Sequence, residues 1–295
     1  MSTSSMFSTM ITFGVYGHFS INFYHHQFGN GSIKFIQRQR MRLSYAWRFA
    51  LTTIILINIY NGNKWAVNNV LNILEPISIV LIASVELKLL GPLISITWRI
   101  YFDNKLSNLL KSFMETLDLL KKFNNEVTLK MKIFCICIIG LIMHFMLYIT
   151  SVIGFAMVPN YPLFDWVVWS WTFIYDRCMF YEYMFLITFV QILVYQLNEE
   201  ISKGVIPISD LTRMYTSTME SLDVINRSIF GAPVLINIIL RNLSSIIYTL
   251  YHYVLFKGMF VKVDVHRFFP ILDVVMRLLD IIILYYLCQT TENEV

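Results

Sequence analysis

The chain has 295 residues, 57% of them hydrophobic and only 14% charged, with a formal net charge of +4. Soluble domains carry roughly 45–50% apolar and about 25% charged residues, so this composition leaves too little polar surface to cover a water-soluble globule. An integral membrane protein is expected, and the absence of a Lys/Arg-rich run interleaved with aromatic residues argues against nucleic acid as a partner.

A helix needs ~20 mainly apolar residues to cross the hydrocarbon core, and helices satisfy their own backbone there. Six such runs are predicted, at about 45–61, 72–96, 132–157, 164–196, 231–257 and 268–289. The fold class expected is therefore an all-α, multi-pass transmembrane bundle over 45–289, between a cytoplasmic N-terminal segment, 1–44, and a short tail, 290–295. The segment 1–44 opens without a basic region and is interrupted by Gly14, Gly17 and His18, so no cleavable signal peptide is expected.

The first run, "YAWRFALTTIILINIY", is the shortest and ends at the breaker Asn61-Gly62-Asn63. The second holds Glu86, Lys88 and the pair Gly91-Pro92. After it, "LSNLLKSFMETLDLLKKF" places Leu106, Leu109, Phe113, Leu117 and Leu120 on one stripe. Two readings stay open for this stripe: a helix running on into the cytoplasm, or an interfacial amphipathic helix. In the third run Cys135 and Cys137 are two apart and so point to different faces, which disfavours a shared metal. All four cysteines lie in or at the edge of apolar segments, so no disulfide framework is expected.

The fourth run is longer than a bilayer requires. Trp166, Trp169, Phe173, Arg177 and Phe180 recur at helical spacing on one face, with Asp176 beside them. Intramembrane charges tend to face a bundle interior or a watery cavity, and aromatic walls with a few polar groups suit a small-molecule site. Trp169, Phe173, Asp176, Arg177 and Phe180 are thus candidate ligand contacts, joined by Tyr251 from the outer half of the fifth run. The competing reading is an aromatic belt with a helix–helix salt bridge. In the sixth run Asp273, Arg277 and Asp280 are spaced so that Arg277 can bridge both carboxylates within one helix. The alternative pairs this helix with Arg241 of the fifth run, or with Glu86 and Lys88 of the second.

Orientation follows the Lys/Arg bias of the connections. Counting Arg48, Lys132 and Lys257 at the edges of runs with the connections they adjoin, fifteen of the 23 Lys and Arg residues fall before the first run, between the second and third, or between the fourth and fifth; four fall on the opposite side. Both termini are expected in the cytoplasm. Of the three sequons, Asn30 and Asn226 then face the cytoplasm and Asn242 lies in a helix, so none is expected to carry a glycan.

Enzyme chemistry finds little support. His25-His26 is the one adjacent histidine pair, whereas a membrane di-iron site needs several such clusters. Neither a Gly-x-Ser-x-Gly elbow nor a phosphate-binding glycine loop occurs. Neither a cofactor nor a metal is expected.

Two stretches carry a family resemblance: "FYEYMFLITFVQILVYQLNEEI" at 180–201, and "LTRMYTSTMESLDVINRSIFGAPVLINII" at 211–239. With the basic stretch "RQRMRLSYAWR" before the first run, the chain resembles the insect gustatory receptor family over most of its length, from about residue 10. The resemblance implies a chemosensory, ligand-gated cation channel of the plasma membrane. Its subunits have seven helices, assemble as homo- or hetero-tetramers, and pack their cytoplasmic helix extensions into an anchor. The ligand it implies is a small-molecule tastant. The family's Thr-Tyr, five residues, Gln-Phe motif of the last, pore-lining helix does not occur here; "LYYLCQTTENEV" matches the stretch leading towards that helix. A subunit unable to conduct alone is therefore expected, and an accessory or dominant-negative subunit is the second reading. A transporter is a third, disfavoured because no internal hydropathy repeat is evident.

Overall fold

The computed structural model describes residues 24–29, 32–37, 52–61, 75–123, 163–256 and 265–294, with a few single positions between. Within parts of these, 163–179 and 248–256 among them, it describes the backbone alone. The predicted third run, 132–157, lies outside the described residues except for isolated positions, as does most of 1–44.

Apart from one short hairpin, the described residues are helical. The hairpin pairs β1 (Tyr24–Gly29) antiparallel with β2 (Ser32–Gln37), Gly29 opposite Ser32. The sequence reading places no strand in this segment. The intervening residues are Asn30-Gly31, the dipeptide that most strongly favours a two-residue hairpin turn, so a local signal for it is present in the sequence.

The helices are α1 (Thr52–Asn61), α2 (Glu75–Phe123), α3 (Leu163–Lys203), α4 (Ile208–Val224), α5 (Gly231–Phe256) and α6 (Val265–Glu294). A π-helical turn, Ile225–Ile229, joins α4 to α5. Helix α2 runs unbroken through Pro92 and carries the stripe around Leu109 and Leu120 as its second half. At 1.5 Å per residue its 49 residues extend about 74 Å, and the 41 residues of α3 about 62 Å. Both exceed the ~30 Å hydrocarbon thickness of a bilayer.

Side-chain contacts fix the register. Along α2, Gly91 lies against Asn237, Trp98 and Lys105 reach Ser228, and Ser112 meets Ser217. Numbers rise on one side and fall on the other, so α2 runs antiparallel to the continuous α4–π–α5 path. The turn from α3 to α4 is closed by Gly204 at φ 64°, whose N–H bonds to the Glu200 carbonyl at 3.2 Å. That left-handed position favours glycine. Pro207 then caps α4.

The main hydrophobic core lies where α2, α3 and α4 run side by side. Leu109, Phe113 and Leu120 of α2 meet Leu186, Val190, Leu193 and Leu197 of α3, with Met214 of α4 and Ile206 closing the far end. Phe113 packs against Phe189 with ring centroids 4.8 Å apart and the rings tilted by 54°. A smaller core seats α1 on α2 through Ile55, Leu89 and Ile96. Among the described residues no single helix is long and apolar enough to cross a membrane; α4 with the π-turn, and α5 to Ile247, meet that condition together while bent by 48°.

Candidate functional site

The helices converge at the π-turn. A π-turn holds one residue more than the α-helix can accommodate, and such turns concentrate at functional positions. Here the Phe230 N–H bonds to the Ile225 carbonyl, five residues back, at 3.0 Å. Gly231 follows so closely that a Cβ on it would stand 1.6 Å from the Asn226 carbonyl oxygen. Only glycine fits there.

The turn is tied to two other helices. Trp98 Nε1 of α2 donates to the Ser228 carbonyl at 2.8 Å, and Lys105 Nζ donates to Ser228 Oγ at 3.1 Å. From α3, the Tyr183 hydroxyl donates to Asn226 Oδ1 at 3.1 Å. Phe230, fully buried, packs its ring 6.1 Å from that of Tyr183. An unusual backbone segment is thereby held from both sides.

Further along α5 the interior turns polar. Asn237, Arg241, Ser244 and Ser245 are buried on α5, as are Arg277, Asp280 and Thr291 on α6. Arg241 Nη1 stands 3.8 Å from Asp280 Oδ2, with both side chains 8% exposed. That is longer than a charge-assisted hydrogen bond, about 2.8 Å, so the link is mainly Coulombic. Bare Coulomb attraction at this separation is about 4 kcal/mol for an effective dielectric of ~20, before the opposing cost of desolvation.

The predicted site residues are distributed unevenly over this framework. Trp169, Phe173, Asp176 and Arg177 lie on the α3 backbone and Tyr251 on the α5 backbone; their side chains are outside the described residues, as is that of Asp273. Phe180 is 4% exposed and belongs to the main core. Glu86 and Lys88 are half-buried on α2. Of the possible charge pairings, Arg241 with Asp280 is brought together across α5 and α6, with Arg277 buried one turn away. Among the described residues no group of three His, Cys, Asp or Glu is placed to hold a metal ion.

The sequence singles out Phe230-Gly231 only through a likeness, and gives no sign of the ties from Trp98, Lys105 and Tyr183. A π-turn has no compositional signature, and its partners come from distant parts of the chain. No family model matches the sequence, and no curated protein matches it.

Proposed function

We propose that this chain is a subunit of a multi-pass membrane chemoreceptor of the gustatory kind, gating a cation pore in response to a small-molecule tastant. The observation that carries the membrane part is the inverted polarity of α5 and α6. Leu235, Ile239, Leu243 and Ile246 are exposed along α5 at helical spacing, opposite the buried Asn237, Arg241, Ser244 and Ser245. On α6, Leu278, Ile281, Ile282 and Tyr285 are exposed while Arg277 and Asp280 are buried.

In water this sorting is unfavourable twice over. Each exposed Leu or Ile forgoes roughly 1.5–3 kcal/mol of burial, and each buried charge costs desolvation. In hydrocarbon both terms reverse: apolar side chains face lipid and ionisable ones face the bundle interior. The charges at Glu86, Lys88, Arg277 and Asp280 interrupt the apolar runs of α2 and α6, which accounts for helices of bilayer length that are not apolar throughout.

Below the π-turn the surface changes character. Thr212, Arg213, Thr216, Glu220 and Asp223 of α4 are exposed over a buried Met214, Thr218 and Ser221. On α2, Asn108, Glu115, Asp118 and Lys122 are exposed over Leu109, Phe113 and Leu120. This water-compatible lower bundle under an inverted upper one supports helix extensions outside the membrane, as the resemblance implies. The receptor assignment itself rests on that resemblance, and an oligomer is part of the same proposal.

The test has two stages. Epitope tags at both termini, probed with and without permeabilisation, should report cytoplasmic ends at the plasma membrane. Expressed with other gustatory receptors, the chain should then give tastant-evoked cation current, and current from the chain expressed alone would make it a channel subunit in its own right. Current that requires the other receptors would assign the accessory role, and resistance to membrane extraction without any current in either setting would remove the channel function.

A further inference from the structure

The π-turn marks a common level across the helices. Trp98 reaches it from α2, Tyr183 from α3, and α5 begins at Gly231 just beyond it. Between that level and the far ends of the helices lie 75–98 of α2, 163–183 of α3 and 231–256 of α5. At the α-helical rise these segments extend roughly 36 Å, roughly 32 Å and roughly 39 Å, each matching a bilayer's hydrocarbon core with modest tilt. On α6 the exposed apolar run ends at Tyr285 and Tyr286, and exposed Cys288, Gln289 and Glu292 follow. The α4–α5 path and α6 thus each change from apolar to polar exposed surface along their length.

An aromatic and basic cluster sits at the level of the π-turn. Trp98 and Phe102 have ring centroids 5.2 Å apart, and Lys105 Nζ lies 5.0 Å from the Phe102 centroid. Tyr101 beside them is 78% exposed. Lys105 lies two helical turns below Trp98, yet its ammonium reaches back to Ser228, the residue Trp98 also contacts. Aromatic rings with a polar edge partition to the headgroup level, and lysines snorkel to it.

We propose that this cluster binds the phosphate of a membrane phospholipid, with Lys105 Nζ and Ser228 Oγ as the polar contacts and Tyr101 and Phe102 lying among the headgroups. The occupant follows from complementarity: an exposed cation beside a hydroxyl donor, at the level where apolar surface gives way to polar. The expected cytoplasmic orientation of this end places it against the leaflet that carries anionic lipid. The inference rests on the membrane reading above but goes beyond it, since a membrane protein needs no specific headgroup contact at this position.

The experiment uses the full chain in vesicles of phosphatidylcholine and phosphatidylserine, with two photoreactive phospholipids, one carrying its diazirine in the headgroup and the other at the end of an acyl chain. The headgroup probe should label the peptide spanning residues 98–105, and the acyl probe the exposed stripes of α5 and α6. Lys105→Gln should lower headgroup labelling of that peptide about fivefold, the worth of one lysine at an anionic surface. Lys105→Arg should restore it, and acyl labelling should stay unchanged in both. Headgroup labelling elsewhere, or labelling of 98–105 indifferent to Lys105, with acyl labelling intact, would overturn the headgroup site and leave the membrane reading standing. Loss of labelling by both probes would overturn the membrane reading and this inference with it.

Discussion

Gly231→Ala is the substitution that most directly probes the joint. The new Cβ would stand 1.6 Å from the Asn226 carbonyl oxygen and 2.7 Å from its carbon. Ordinary van der Waals contact begins at 3.4 Å, so the Asn226 carbonyl or the start of α5 must give way by more than half of that distance. The obstructing atoms are backbone, which cannot rotate away as a flexible side chain does. The backbone around them is also fixed, by Trp98 at Ser228 and Tyr183 at Asn226. Overpacking of this kind costs about 1–3 kcal/mol, occasionally more, and the upper part of that range is expected here.

Thermal unfolding of the purified chain, followed by the loss of monodisperse protein on heating, measures the effect. A drop of roughly 6–12 °C in apparent Tm corresponds to about 3 kcal/mol for a chain of this size class. Gly204→Ala is the internal reference. Its φ of 64° strains any other residue, but nothing lies within 4 Å of its Cβ position, so the cost is conformational alone, about 1 kcal/mol. If Gly231→Ala lowered the midpoint no more than Gly204→Ala does, the steric reading of the joint would be wrong.

Other outcomes are accessible by the same assay. Phe113→Ala should destabilise by about 3–5 kcal/mol, since this side chain is 1% exposed and loses its tilted ring contact with Phe189; a shift no larger than that of an exposed residue would show that the lower bundle is not packed as described. Arg241→Met should cost several kcal/mol by leaving Asp280 buried opposite an apolar side chain, and adding Asp280→Leu should recover most of the loss. An additive double variant would mean that the two residues do not form a coupled pair. At the α3–α4 turn, the 2.7 Å bond from Lys203 to Glu200 raises the lysine pKa. A raised folded-state value means that the contribution is complete below the ordinary lysine pKa and is lost as pH climbs through the higher, folded one. Stability attributable to Lys203, measured against Lys203→Met, should therefore be flat across neutral pH and decline only in strong alkali; a decline near neutrality would contradict this.

How much of this was legible in the sequence depends on the range of the interaction. The turn at Gly204 is marked by "KGVIP", because a left-handed glycine and a capping proline act within a few residues. The stripe through Leu109, Phe113 and Leu120 can be read as helical from its period. Whether it continues the preceding helix cannot, because continuity depends on which surfaces α3 and α4 offer, and those come from much later in the chain. The charges on the sixth predicted run show the same limit. Spacing alone allows Arg277 to serve Asp273 and Asp280 within one helix, and it does not say that Arg241 of the neighbouring helix approaches Asp280. Asn30-Gly31 is the opposite case: the turn signal is local and strong, but the "YHHQF" before it shows little alternation of apolar and polar residues, and the "SIKF" after it is too short a run to draw attention to it.

The joint ties these observations into one mechanical arrangement. A bend of 48° between two helices is ordinarily soft, because the hydrogen bonds at a break are few. Here the residues just before the break are bonded to two long helices, Ser228 to α2 and Asn226 to α3. Helices α2 and α3 both continue past the joint into the lower bundle, where Phe113, Phe189 and Met214 lock them to α4. A displacement of α5 in the upper bundle, such as one that changed the Arg241–Asp280 separation, must either flex the backbone at the break before Gly231 or pull on the bonds at Ser228 and Asn226 and carry α2 and α3 with it. The turn itself is held by more than these hydrogen bonds, each worth about 1 kcal/mol, because Ile225, Ile229 and Phe230 are fully buried in the same core as Phe113 and Met214. Relative motion should therefore concentrate at the break just before Gly231, while the π-turn moves with the lower bundle as a unit. In the proposed receptor, that makes the break at the end of the turn the place at which an event among the upper helices is passed to the lower ones.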